Sequence, residues 1–140
     1  MNENIFPLDE FKKYGKEQDW VVYYGRIDFA NLEGIIEPNK IHLFILSQNF
    51  TPNLNNYSIA NYTCQCMLLL VKQGDIGDTH AVKYEKNIKE LVLASNDLVS
   101  YLKSCGVWRP TAWNSVSVIN RMDDLVDGLN INATLRGNVC

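Results

Sequence analysis

The sequence predicts an α+β fold: a mostly antiparallel sheet of about five strands, one long amphipathic helix covering a face, and a short N-terminal helix. Apolar residues recur at intervals of three and four between residues 80 and 105, which is the spacing of one helix face. Between residues 113 and 136 apolar and polar residues alternate, which is typical of half-buried strands. The predicted order is therefore one helix, three strands, a second helix and two strands.

Length and charge limit the classes of function. The chain has 140 residues, so we expect a single domain over residues 1–140. Its net charge of −3 gives no electrostatic support for general nucleic-acid binding. No apolar run approaches the roughly 18 residues that a membrane span requires. The acidic start of the chain lacks the basic and apolar regions of a secretory signal, so a cytoplasmic setting is expected.

The first half of the chain predicts one helix and three strands. Pro7 and the acidic residues after it favour a helix over residues 7–18, with Gly15 as a stop signal. Aromatic and β-branched residues then predict strands over residues 20–24, 41–46 and 57–72. The last of these ends in M-L-L-L-V, which should be buried on both faces.

The second half predicts the cover of the sheet and a hairpin. The helical stripe consists of Ile88, Leu91, Val92, Ser95, Leu98, Val99 and Leu102, and Gly106 should end this helix. The hairpin arms are residues 113–122 and 129–136, and Asp127-Gly128 suits the turn between them. One face of the first arm carries Val116, Val118, Asn120 and Met122, and one face of the second carries Leu129, Ile131, Ala133 and Leu135.

The sequence contains no motif of catalysis, so we expect no catalytic residue, no metal site and no cofactor. Cys64 and Cys66 share a strand face but lack the spacing of a zinc knuckle or redox loop, so they should be reduced thiols packed as small apolar residues. Asp123 and Asp124 are adjacent in a turn and should point apart into solvent. His42 should be a structural histidine of its strand; the alternative is a small hydrolase or transferase that uses His42 with a carboxylate brought near by the fold.

The order of elements resembles that of the tail-terminator and neck proteins of tailed bacteriophages. The resemblance rests on the strands W-V-V-Y-Y and I-H-L-F-I-L, the long strand ending C-M-L-L-L-V, the amphipathic helix, and above all the closing D-G-L-N-I-N-A-T-L. It implies a structural virion protein, assembled in the bacterial host cytoplasm, that forms a ring at the head–tail junction or at the tail.

Such a ring would be a homo-oligomer of sixfold or twelvefold symmetry that meets neighbouring portal, neck or tail proteins. DNA would at most pass through the lumen without specific binding, and the resemblance supplies no catalytic residues. A different class remains open, namely a monomeric adaptor or inhibitor that binds a host protein through an exposed sheet face.

Aromatic, arginine and apolar residues outside the periodic stretches are candidates for subunit contacts, because interfaces favour these residue types. The candidates are Trp108, Arg109, Trp113, Leu125 and Val126. The alternative for the two tryptophans is that they seal the bottom of the core. Asp123, Asp124 and Asp127 should stay solvated at the rim or face a lumen, where they would repel passing DNA within a Debye length of about 8 Å.

Overall fold

The computed structural model describes residues 6–25, 40–55, 61–73, 79–105, 107–120 and 126–137. They form helix α1 (Pro7–Gln18), strands β1 (Val21–Tyr24), β2 (Ile41–Thr51) and β3 (Thr63–Gln73), a second helix α2, and strands β4 (Trp108–Asn120) and β5 (Val126–Gly137). Helix α2 has three consecutive parts: the turn His80–Lys83, the π-helical stretch Tyr84–Ile88, and the α-helix Lys89–Cys105. The α+β class and the order of elements are as predicted.

The five strands form one mixed sheet in the order β1-β2-β3-β5-β4. β1 runs parallel to β2, and the other three neighbouring pairs are antiparallel. β3 is the middle strand, and its residues 68–71 are buried on both faces, as the apolar run predicts. β1, with four residues, and β4, with thirteen, are the two edges of the sheet.

Helix α2 covers one face of the sheet and forms the core with it. Leu91, Leu98 and Leu102 of the helix pack against alternate residues of the three inner strands. From the strands, this covered face contributes Leu43, Ile45, Cys64, Cys66, Leu68, Leu70, Leu129, Ile131, Ala133 and Leu135. The predicted cover is confirmed, except that Val92 lies at the margin of the stripe and is exposed.

Helix α1 packs over the end of the sheet near β1. It does not stop at Gly15 but runs to Gln18 and ends at Asp19, whose φ is 60°. A Cβ atom at Gly15 would lie 2.4 Å from Cγ2 of Val22, so this glycine allows close packing of helix on strand. The buried carboxylate of Glu10 accepts hydrogen bonds from the Tyr101 hydroxyl and the Val107 backbone N–H.

The hairpin exists, but Asp127 and Gly128 do not form its turn. Both residues lie inside β5, where they pair with Lys72 and Val71 of β3. A Cβ atom at Gly128 would lie 2.8 Å from Cγ1 of Val71, so the glycine is required by strand packing. The residues between the arms, 121–125, lie outside the described part of the chain.

Candidate assembly surface

The face of the sheet opposite α2 is covered over only part of its area. Near β1, Phe44 and Leu69 are buried on this face, and the ring of Tyr23 stacks on Phe44 with centroids 5.3 Å apart. Farther along the strands the face is open and carries a groove of about 540 Å³. Its exposed or half-buried lining consists of Ser47, Asn49, Gln65, Met67, Ala112, Asn132 and Thr134, and we call these residues the open face.

A register shift in β2 creates the polar part of the open face. Ile45 pairs with Leu68 and Ser47 with Met67, so one extra residue of β2 lies between these pairs. The shift places Ser47 opposite Met67 on the open face, where Leu46 would otherwise lie. β2 therefore changes from an apolar strand near β1 to a polar strand beside the groove.

The open face has hydrogen-bonding groups but no charged side chain among its described residues. Amide and hydroxyl groups can donate and accept hydrogen bonds without the cost of desolvating a charge. Met67 lies among them with 52% of its surface exposed, and its thioether side chain adapts to irregular apolar contacts. This combination suits contact with another protein surface better than acid–base chemistry.

Cys64 and Cys66 lie behind this groove, on the covered face of β3. Both are buried, with their sulfur atoms 3.5 Å apart. The hydrogen bond with Cys64 and burial both raise the pKa of the Cys66 thiol, so it stays protonated at neutral pH. The prediction that the two cysteines share a face and pack as apolar residues is confirmed for the described structure.

β4 departs from the pattern of its neighbours. Ser115 pairs with Ile131 and Ser117 with Leu129, so both serines lie on the covered face of the sheet. Val116 therefore lies on the same side of the sheet as the open face, with 58% of its surface exposed. Val116, predicted on the apolar face of this arm, is exposed because that face is the one that α2 does not cover; Ser115 and Ser117 are exposed because β4 extends past the area that α2 covers.

Of the two tryptophans predicted at an interface, Trp108 is part of the hydrophobic core and Trp113 packs against it. Trp108 is fully buried, with its ring centroid 6.0 Å from that of Phe50, so it has no surface to offer a neighbouring chain. Trp113 is half-buried and donates its Nε1–H to Oγ of Ser95 over 2.9 Å. For Trp108 the interface assignment is corrected, because this large side chain fills the space under the start of β4. Arg109, by contrast, is exposed at the start of the edge strand.

Asp127 is not solvated at a rim, which corrects the prediction made for it. Its carboxylate is fully buried, with Oδ1 3.6 Å from Nζ of Lys83, and it accepts a 2.7 Å hydrogen bond from Nδ2 of Asn87. Burial of this acid is possible because a buried cation and an amide donor meet it. The network was not predicted, although Lys83 and Asn87 continue the spacing of the helical stripe backward from Leu91 and so mark the same face of α2.

The structure describes little or nothing of the other residues predicted at subunit contacts or at an acidic rim. Leu125, Asp123 and Asp124 lie outside the described residues. Val126 is the first residue of β5, and its side chain is outside the described part of the structure. Their predicted roles stay predictions.

His42 lies within β2 and is fully buried. Its Nδ1 atom is 3.1 Å from the carbonyl oxygen of Lys40, and its ring lies over that of Phe44 at 6.4 Å. These contacts are those of a strand histidine held by backbone and aromatic neighbours. Among the described residues, no group of three His, Cys, Asp or Glu side chains is placed to hold a metal ion.

A second groove, of about 480 Å³, lies between α1 and α2. Tyr14 and Trp20 form its aromatic floor, with ring centroids 5.1 Å apart. Its rim carries both signs of charge, including Lys89, which pairs with Glu85. The mixed rim gives no preference for an anionic or a cationic ligand.

Comparison with protein-family models gives no match, and comparison with curated proteins gives no significant match. Within the described residues, neither helix has the length and apolar character needed to cross a bilayer.

Proposed function

We propose that the protein is a structural, non-catalytic subunit of a tailed-phage virion. In this proposal it forms a ring at the head–tail junction or the tail, in the manner of neck and tail-terminator proteins. The observation that carries the proposal is the open face, an uncharged groove with exposed Met67 on a sheet that α2 covers from one side only. The resemblance in element order supplies the setting, and the open face supplies the means of assembly.

The composition of the open face supports contact with protein. The central parts of protein interfaces are depleted in charged residues and enriched in residues such as methionine. Here Met67 is surrounded by amide and hydroxyl groups, and Arg109 and Arg136, which are both exposed and pair across β4 and β5, lie toward one end of the sheet. An uncharged centre with arginine at one end is the arrangement expected of a surface that binds another subunit.

The charge of the chain supports a structural role beside DNA rather than a DNA-binding role. With a net charge of −3, the protein would not retain a polyanion in transit. In a ring, DNA would pass through the lumen, and the contacts that hold the particle together would be between proteins.

The same groove favours a second candidate function, a monomeric adaptor or inhibitor that binds a host protein. A groove of about 540 Å³ with one flexible apolar side chain can accept a segment of a folded partner. The two functions differ in oligomeric state. A ring subunit meets copies of itself and neighbouring virion layers, whereas the adaptor is a monomer at every concentration.

The deciding experiment is structural imaging of phage particles that carry this protein. We expect ring-shaped density at the neck or tail into which the fold described above can be placed. Particles that lack such density, or that assemble normally after deletion of the gene, would refute the virion role. Imaging is preferred to mass measurement alone, because isolated ring subunits can stay monomeric until they meet a neighbouring layer.

Substitution of Met67 tests whether the open face takes part in assembly. We expect Met67→Asp to fold but to be lost from particles, because it places a charge at the centre of an uncharged surface. Leu93→Asp is the matched control, since Leu93 is an exposed apolar residue on α2, on the opposite side of the sheet. Equal incorporation of the two variants would count against the open face.

A further inference from the structure

β4 is a long edge strand without charge along most of its length. Residues 111–120 read T-A-W-N-S-V-S-V-I-N and contain no charged side chain. In the part of the chain that the structure describes, β4 pairs with β5 on one side, and no strand lies on its other side. Edge strands usually carry charges or are very short, because a free edge can pair with another chain. Neither protection is present in residues 111–120, and the proline and the register shift that can also blunt an edge lie at the start of β4, between Pro110 and Ala112.

The side chains of β4 leave room for a strand beside it. Thr111, Ala112 and residues 114–117 are exposed, and Trp113 is turned inward to Ser95 of α2. Ser115, Val116 and Ser117 are small or β-branched residues that fit a pleated surface. An approaching strand would therefore meet an open backbone edge.

The flank of α2 beside this edge is also uncharged over two turns. Tyr101 marks the side of the helix that faces α1, because its hydroxyl donates to Glu10. By helical spacing, Val92, Asn96 and Val99 lie on the other side, toward β4. Val92 is 38% exposed. A second molecule at the edge would thus cover apolar surface of the helix as well as Val116.

A second copy of this chain matches the edge better than the other candidates do. β1, the opposite edge of the sheet, has only four residues and could pair with a small part of β4, so a head-to-tail chain of sheets would leave most of the edge free. Another β4 has the same length, and its uncharged sequence brings no like charges together. In an antiparallel pair around a twofold axis perpendicular to the sheet, both open faces lie on one side and both α2 helices on the other.

We infer that two copies of the protein pair through antiparallel β4 edges and join their five-stranded sheets into one continuous sheet. The twofold axis passes near Ser115 and Val116, at the middle of the uncharged stretch. The contact goes beyond the proposed virion role and does not depend on it. In a ring, it would connect two rings through twofold axes.

The first test compares two matched lysine variants by sedimentation equilibrium. The wild-type chain is expected to form a species of twice its 16.0 kDa mass, in a concentration-dependent way. Val116→Lys should raise the dimer Kd by about tenfold or more, because two ammonium groups would face each other across the pair. Leu93→Lys, on the outer side of α2 with similar exposure, should leave the Kd within about threefold.

Circular dichroism and thermal melting establish that each variant is folded. If Val116→Lys fails to fold, Ser117→Lys replaces it, because Ser117 is also exposed on β4 but lies on the other face. A wild-type chain that is monomeric at all concentrations overturns the inference. So does an oligomer whose Kd the β4 lysine leaves unchanged.

The second test locates the twofold axis by single cysteines at positions 114–118, in a chain whose Cys105 and Cys140 are replaced by serine. Cys64 and Cys66 stay in place because they are buried. Mild oxidation should give disulfide-linked dimers at one or two adjacent positions near Ser115 and Val116, and none with Leu93→Cys. Uniform cross-linking along β4, or none, contradicts antiparallel pairing. Loss of ring density in particles with intact β4 cross-linking would refute the virion role alone.

Discussion

Removing one partner of the buried pair Lys83 and Asp127 should destabilise the protein more than removing one partner of an exposed ion pair. Both side chains have no exposed surface, and Nζ of Lys83 lies 3.6 Å from Oδ1 of Asp127. At that separation two unit charges attract by about 4.6 kcal/mol with an effective dielectric constant of about 20. Asp127→Leu removes the acid and leaves the lysine buried without this partner, so we expect a loss of about 3–5 kcal/mol in unfolding free energy.

A double-mutant cycle separates the pair interaction from the cost of each substitution. Lys83→Met should also be destabilising, although less so, because Asn87 still donates to the carboxylate. The double variant, Lys83→Met with Asp127→Leu, should recover at least about 2 kcal/mol relative to the sum of the single losses, since it removes both buried charges together. Urea unfolding at pH 7, followed by tryptophan fluorescence, measures all four proteins.

Lys72→Met provides the control for this cycle. Lys72 forms an ion pair with Glu90 in which both side chains are partly exposed, and such pairs contribute at most about 1 kcal/mol. If Asp127→Leu costs no more than Lys72→Met, or if the losses at Lys83 and Asp127 simply add, the two buried groups do not form the coupled pair described here.

Three further predictions concern packing and ionisation. Gly128→Ala should lower the unfolding free energy by about 1–3 kcal/mol, measured by urea unfolding, because its methyl group would overlap Val71; an unchanged stability would show that β3 and β5 can separate there. With the other two cysteines replaced by serine, Cys64 and Cys66 should resist iodoacetamide at pH 8 and react on unfolding, since they are buried and the pKa of Cys66 is raised; rapid native labelling would contradict this. Burial raises the pKa of Tyr14 above its ordinary value of 10.0, so above pH 10 the unfolded state ionises first and stability falls with pH; Tyr14→Phe should show a shallower fall, and equal slopes would contradict the assignment.

Local patterns were sufficient for the class of fold and the order of its elements. The stripe through Leu91, Leu98 and Leu102 predicted a helix that covers a sheet, and the alternation through Leu129 and Leu135 predicted a strand with one buried face. These predictions hold because each depends on the spacing of side chains within one element, and that spacing is a property of the backbone alone.

The candidate assembly surface was predicted less well, because its residues depend on which strands become neighbours. Sequence spacing put Val116 on an apolar face but could not show that this face is the open one, since that depends on which face of the sheet α2 packs against. The sequence also predicted Asp127 in a turn, because aspartate followed by glycine is a common turn pair. The tertiary structure instead places the pair inside β5, where Gly128 packs against Val71.

What the amino-acid sequence determined by itself was the set of elements: two helices and five strands, ended or shaped by local capping, turn and period signals. What only the tertiary structure decided was which groups share an environment. Asp127 and Asn87 are 40 residues apart and meet because β5 packs beside the start of α2. Trp108 entered the core, and β4 became an edge, for the same reason. Burial and pairing depend on contacts between distant segments, and no local pattern encodes those contacts.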